Sequence, residues 1–448
     1  MAENKSLLGA EDLFFETDPE HDTDTIDKEF RWKESGGVNK PMAPEEISDC
    51  DVDPVQLSDL ALKLGATMPR FTTEWASKKM CLPRHLVDEL YWDMKNDHEV
   101  EILGQAGPLN LRYALTDRGR ERVDQVCKVA GYCGPAPVSL RAYIDSLQRQ
   151  SSRRNLVTLD LVRAALQDVL LDEDSLETAA LAVASRKSLF MFGPAGNGKT
   201  TIGRLLHGVY DDAQWIPYAI QIDSHVIRVF DQQMHECVPR NAVDPEIDHR
   251  WVHIRRPFIV AGGEMTLHDL DLVWNDSLHY YEAPPHFKAN GGTFLIDDFG
   301  RQRISPQDLL NRWIIPLEQE VDYLTLRTGQ KIQVPFDVML SVATNLSVEQ
   351  VADPAFLRRM GYRLHIRGPS SEQYRKTFCR CADKAGMLGA PVVIDVVLRK
   401  YAEQQREMRF SEAGDLVSRC IDICKLRGVP MEMTPAILEK AWTGYFGH

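Results

Sequence analysis

Ser188-Leu189-Phe190-Met191-Phe192-Gly193-Pro194-Ala195-Gly196-Asn197-Gly198-Lys199-Thr200-Thr201-Ile202-Gly203-Arg204-Leu205-Leu206 decides the reading of this chain. Ser188 to Phe192 is a short apolar strand, Gly193 to Thr200 fits G-x-x-x-x-G-K-[ST], and Thr201 opens a helix. The glycines let backbone N–H groups curl around phosphate oxygens, and the helix N-terminus adds partial positive charge. Gly193, Pro194, Ala195, Gly196, Asn197, Gly198, Lys199, Thr200 and Thr201 are therefore the candidate phosphate-binding residues. Lys199 has the reach for the β- and γ-phosphates of ATP, and the Thr200 hydroxyl is a ligand for Mg²⁺.

Phosphoryl transfer needs carboxylates facing that loop from the end of a neighbouring buried strand. Thr293-Phe294-Leu295-Ile296-Asp297-Asp298 supplies them about a hundred residues later, in the layout called Walker B. Asp297 is the candidate Mg²⁺ ligand, and Asp298 is the candidate to orient and deprotonate the attacking water. Val338-Met339-Leu340-Ser341-Val342-Ala343-Thr344-Asn345 is a further apolar strand with a polar end. Asn345 either caps that strand or bonds the attacking water or γ-phosphate, the role called sensor 1.

Around these motifs the sequence is ordinary for a globular protein, with 44% hydrophobic and 26% charged residues. Strands and helices alternate from about 185 to 368, and the remainder reads as helices, which predicts an α/β core with a helical lid. Nine cysteines show no metal-binding spacing and read as buried thiols in a reducing cytoplasm. No apolar run approaches the ~20 residues of a membrane span, so no membrane insertion is expected. Of the net charge of −14, most sits in residues 1–55, where 16 acids face 5 bases. That segment reads as a mostly disordered arm in which Leu13-Phe14-Phe15 could dock.

Between the arm and the core, Leu82 to Leu90 reads as a helix with proline in its first turn. Glu99 to Leu103 and Leu111 to Leu115 read as strands around a Gly104–Asn110 turn, and Thr116-Asp117 caps a closing helix. This order resembles a winged helix-turn-helix. Residues 66–128 carry ten bases and ten acids, so there is no basic footprint at domain level. Arg112, Arg118, Arg120 and Arg122 keep nucleic acid open as a partner, beside protein docking. A linker holding Gly134-Pro135-Ala136-Pro137 follows.

With the P-loop, paired acids and strand-end Asn in order, the chain from about 155 to 445 resembles an AAA+ ATPase. Lys288-Ala289-Asn290-Gly291-Gly292-Thr293-Phe294-Leu295-Ile296-Asp297 is similar to a phrase shared by Lon, MoxR-like and enhancer-binding ATPases. Val321 to Leu326 and Lys331 to Val334 read as a β-hairpin, matching the pre-sensor-1 hairpin of that clade. Asp297-Asp298-Phe299-Gly300-Arg301-Gln302-Arg303, Leu309-Leu310-Asn311-Arg312-Trp313 and Phe356-Leu357-Arg358-Arg359 are similar to bacterial ATPases with chaperone activity associated with Flp pilus assembly.

The resemblance implies that Arg358 or Arg359 is an arginine finger reaching a neighbouring subunit, and hence a ring, commonly a hexamer. Two departures stand out. Asp298 replaces the usual Glu, and Gly414 occupies the place of the lid's sensor 2 arginine, with Arg419 about one turn further on. The expected organisation is a tail (1–55), a winged-helix domain (56–130), a linker (131–155), an AAA+ core (156–368) and a lid (369–448). The leading expectation is an ATP-driven remodeller of a protein client. The alternatives are a DNA-directed AAA+ protein and a nucleotide-gated scaffold with little turnover.

Overall fold

The computed structural model describes residues 31–35, 38–108, 110–151, 157–239, 244–347 and 354–447. Strands β1 (Trp32–Ser35) and β2 (Val38–Pro41) pair antiparallel. Residues 1–30 of the expected disordered arm, with Leu13-Phe14-Phe15, lie outside the described residues, whereas residues 31–35 and 38–55 are built into the fold rather than disordered. Asp248 donates its N–H to Pro41, Trp32 sets its ring edge-on to Trp251 at 5.5 Å, and Cys50 is buried. The partners that order this acidic stretch lie some 200 residues downstream, so its local composition gave no sign of them.

Helices Pro54–Ala66, Thr73–Met80 and Arg84–Asn96 pack on a three-stranded antiparallel sheet, ordered β3 (Phe71–Thr72), β5 (Asn110–Leu115), β4 (Val100–Gly107). Asp53 accepts from the Val55 N–H and Thr72 from the Trp75 N–H, so caps fix both helix starts. Leu60, Phe71, Leu90, Tyr91 and Tyr113 fill the core between the layers. The hairpin runs further than its glycines suggest. β4 continues through Gly104 to Gly107 with register shifts, so residues expected in the Gly104–Asn110 turn belong to the strand as far as Gly107. Glycine at a bulge bends a strand without ending it.

Within the expected linker 131–155, residues 138–151 are a strand and a helix of the fold. β6 (Val138–Ser139) runs parallel to β9 (Ala219–Ile222), and the helix Leu140–Ser151 buries Tyr143 and Leu147 against Trp215 and Phe287. They belong to a second sheet, ordered β13 (Val273–Asn275), β14 (Tyr280–Glu282), β10 (His225–Arg228), β9, β6. Beside it lie the pair β8 (Ala213–Pro217) with β11 (Trp251–Arg255) and the hairpin β16 (Val321–Thr325) with β17 (Lys331–Pro335). Strand–helix alternation therefore describes only part of the expected 156–368 core. Asp248 and Arg250, both fully buried, join the parts: Arg250 Nη2 lies 2.8 Å from Asp248, and Nη1 donates to the carbonyls of Cys50 and Pro137.

The other part is a parallel sheet ordered β12 (Phe258–Ala261), β15 (Thr293–Ile296), β18 (Met339–Thr344), β7 (Leu189–Phe192), β19 (Tyr362–His365). Every residue of β15 and β18 is buried, as strands covered by helices on both faces require. Helices Ser371–Lys384, Ala390–Glu403, Phe410–Arg427 and Pro435–Phe446 form a C-terminal unit around Phe378, Val397, Tyr401, Leu416 and Trp442. All nine cysteines are free thiols; Cys50, Cys420 and Cys424 are buried, whereas Cys133 and Cys237 are exposed, contrary to the buried reading. Among the described residues no helix is long and apolar enough to cross a membrane.

Candidate functional site

β7 is an interior strand of the parallel sheet, between the central β18 and the edge strand β19, and ends at Phe192. The next residue must be glycine. Gly193 has φ +144°, and a Cβ there would stand 2.0 Å from the Ile366 carbonyl oxygen. Gly196 and Gly198 also take positive φ, which curls the loop before it enters the helix Lys199–His207. That helix has no side-chain N-cap, so its first N–H groups remain available to an anion.

The Lys199 amine donates to the carbonyls of Gly193 (2.9 Å) and Pro194 (3.0 Å) and to Asn345 Oδ1 (2.6 Å). Burial lowers its pKa below the usual lysine value, while Asp298 and Asp297 pull the other way. Thr200 Oγ1 donates to Asp297 Oδ2 at 2.7 Å. Asn345 Nδ2 donates to Asp298 Oδ1 at 2.9 Å, and the Asp298 N–H donates to Asp297 Oδ1 at 2.9 Å. Asp298 adopts φ +49°, a left-handed conformation that Asp tolerates better than most residues. β15 and β18 are adjacent and in register at Ile296 and Val342, so both strands deliver their polar ends to one edge of the sheet. That carboxyl edge is where open α/β sheets bind ligands.

The loop after Asp298 is held firmly. Phe299 is buried and donates its N–H to Ala343, while Gln302 bridges the Gly300 N–H and the Asp297 carbonyl. This turn brings Arg301 to the wall of a cavity of about 620 Å³, shared by Asn197, Lys199, Thr200, Asp297, Asp298 and Asn345. Asp168, Val169 and Leu170 close one side, and Thr377, Phe410 and Ser411 of the C-terminal unit close another. Sequence reasoning missed these contributors. Arg301 lies four residues beyond Asp297 and could have been suspected, but the others come from segments without a motif.

Arg358 and Arg359 do not line the cavity. Arg359 pairs with Glu318, and Arg358 is exposed. A Cβ on Gly414 would stand 4.0 Å from Cys381 Sγ, and the Arg419 guanidinium lies over the Tyr445 ring at 4.9 Å. Neither reaches the phosphate loop within this chain.

Residues 370–444 match a family described as a domain of unknown function (DUF8689). No curated protein matches. Among solved structures, the RuvB Holliday junction branch migration motor of Thermotoga maritima is similar at 14% identity, over 61% of this chain and 68% of that one, with a TM-score of 0.36. NtrX from Brucella abortus in complex with ATP is similar at 12% identity, over 71% of this chain and 63% of that one, with a TM-score of 0.38. Its complex with ADP gives 11% identity, over 58% of this chain and 53% of that one, with a TM-score of 0.36. At these scores the likeness carries no argument about this chain, and its own geometry carries the functional reading.

Proposed function

We propose that the chain is a Mg²⁺-dependent AAA+ ATPase that works as a ring and remodels a protein client. One observation carries this reading. Lys199, Thr200, Asp297, Asp298 and Asn345, drawn from three separate motifs, form a single hydrogen-bonded cluster beside a glycine loop at the carboxyl edge of a parallel sheet. A bare nucleotide-binding loop needs no second carboxylate tied to a strand-end amide; hydrolysis does.

In this reading the Lys199 amine exchanges its loop carbonyls for β- and γ-phosphate oxygens. Among the described residues no group of three or more His, Cys, Asp or Glu could hold a metal ion. The adjoining oxygens of Thr200 and Asp297 nevertheless suit Mg²⁺, which takes one or two protein ligands and completes its shell with phosphates and water. When bound, the ion neutralises charge on the phosphate oxygens. Asp298, fixed by Asn345 through one carboxylate oxygen, keeps the other for the attacking water and its proton. The exposed Arg358, rather than the paired Arg359, is the better finger toward a neighbouring subunit. Chaperone-like action, kinship with the Flp-associated ATPases and a cytoplasmic setting belong to the same proposal.

The N-terminal unit, read as a winged helix, favours protein over DNA as its partner. Arg122 is taken up by Asp59 and Glu99, Arg84 faces Asp88, and the ten acids of residues 66–128 balance its ten bases, so the unit offers no net positive charge to a phosphate backbone. Purified wild-type protein is expected to hydrolyse ATP only with Mg²⁺, and Asp298→Asn to bind ATP without turning it over and to retain its client on affinity capture. Equal turnover by wild type and Asp298→Asn overturns the catalytic assignment, and capture of DNA instead of protein overturns the choice of client.

A further inference from the structure

We propose that the C-terminal helical unit is coupled to the phosphate loop by a main-chain latch in which the Asn197 side chain is a positioning residue. The proposal deepens the ATPase reading by naming how the loop and the helices move together. The first N–H groups of a helix have no acceptor within it. In the helix Phe410–Arg427 the Phe410 N–H donates to Asn197 Oδ1 (3.3 Å), and the Ser411 N–H donates to the Gly196 carbonyl (2.9 Å). Both acceptors belong to the loop that cradles phosphate. Asn197 is 3% exposed, so its amide is fixed in place, and among the described residues its Nδ2 has no partner. The approach is close because residue 196 is glycine: a Cβ there would lie 2.6 Å from Ser411 Oγ.

A lid arginine is the alternative means of coupling, and neither position for it serves. Gly414 has no side chain to offer, and Arg419 is engaged with Tyr445. A loop that shifts as it closes on phosphates moves the two acceptors, and with them the start of an 18-residue helix.

Amide exchange resolved at Phe410 and Ser411 tests the latch in the full chain, first without nucleotide and then with a non-hydrolysable ATP analogue. Because these amides lack intrahelical acceptors, their protection reports the latch itself. Asn197→Ala is expected to speed exchange at Phe410 about five- to tenfold, the worth of one such bond. Asn197→Thr, which keeps an acceptor, is expected to restore most of it. The analogue is expected to change protection at both amides in wild type, and in Asn197→Ala to change it at Ser411 alone and more weakly than in wild type.

Unchanged exchange at Phe410 in Asn197→Ala overturns the latch, as does a nucleotide response abolished by Arg419→Ala and not by Asn197→Ala. Should Asn197→Ala not fold, Phe410→Pro against Phe410→Ala reads the same bond. Both lose the ring, but only proline loses the N–H, at a helix position whose φ it suits. The nucleotide response at Ser411 is expected to weaken in the proline variant alone, and equal responses overturn the latch. A protein that binds no nucleotide yet shows Asn197-dependent protection leaves the latch standing and sinks the ATPase reading.

Discussion

The parallel sheet and the second sheet are built from opposite kinds of information. In the parallel sheet, β7, β15 and β18 are each apolar runs ending in a chemical signal, and they lie side by side. In the second sheet, β6 and β9 are separated by some eighty residues, and a buried ion pair closes the joint to a segment two hundred residues away. Chemistry that must meet a phosphate is written locally, because loop, lysine and helix start have to be contiguous. A sheet that serves as a platform needs only shape, which many sequences satisfy.

That contrast can be broken or sharpened by substitution. Arg250→Ala should be the most damaging to stability, because it leaves Asp248 as an uncompensated buried charge at a cost of about 3–5 kcal/mol. Exchange protection should collapse in β6 and β9 but survive in β15 and β18; collapse everywhere would show that the two sheets unfold as one. Lys199→Ala should leave the fold intact, seen as an unchanged melting temperature, and lower ATP turnover about 10²- to 10³-fold, as loss of a main transition-state charge does.

His207 offers a pH handle on the parallel sheet. It bonds Thr293 Oγ1 and the Arg256 carbonyl, and burial pushes its pKa down to about 4. The unfolded chain therefore takes up a proton first as pH falls. Stability is expected to be full above about pH 6.5 and to decline by on the order of 2–3 kcal/mol toward pH 4, a slope that His207→Gln should flatten in denaturant titrations. Arg301→Ala is the smallest expected effect, about a tenfold loss in kcat with little change in KM. An unchanged kcat would make Arg301 a bystander on the cavity wall.

Much of the site was legible because each motif carries its own reason. Glycines at 193, 196 and 198 are demanded by backbone angles, and the acids after an apolar run by charge at a sheet edge. Arg301 escaped because the turn that aims it depends on Gln302 and on the buried Phe299, which no pattern announces. Phe410 and Ser411 escaped because only tertiary packing brings a helix start two hundred residues away onto the loop. The second sheet and residues 31–35 and 38–55 of the acidic arm were illegible for the same reason, since their strands are short and the partners that hold them distant.

Calorimetric titration of ATP and Mg²⁺ into wild type, Lys199→Ala and Asp297→Ala tests the central claim most directly. The account predicts one site per chain in wild type, binding lost in Lys199→Ala, and binding that no longer depends on Mg²⁺ in Asp297→Ala. Absence of binding to wild type, or equal binding by all three proteins, would contradict it.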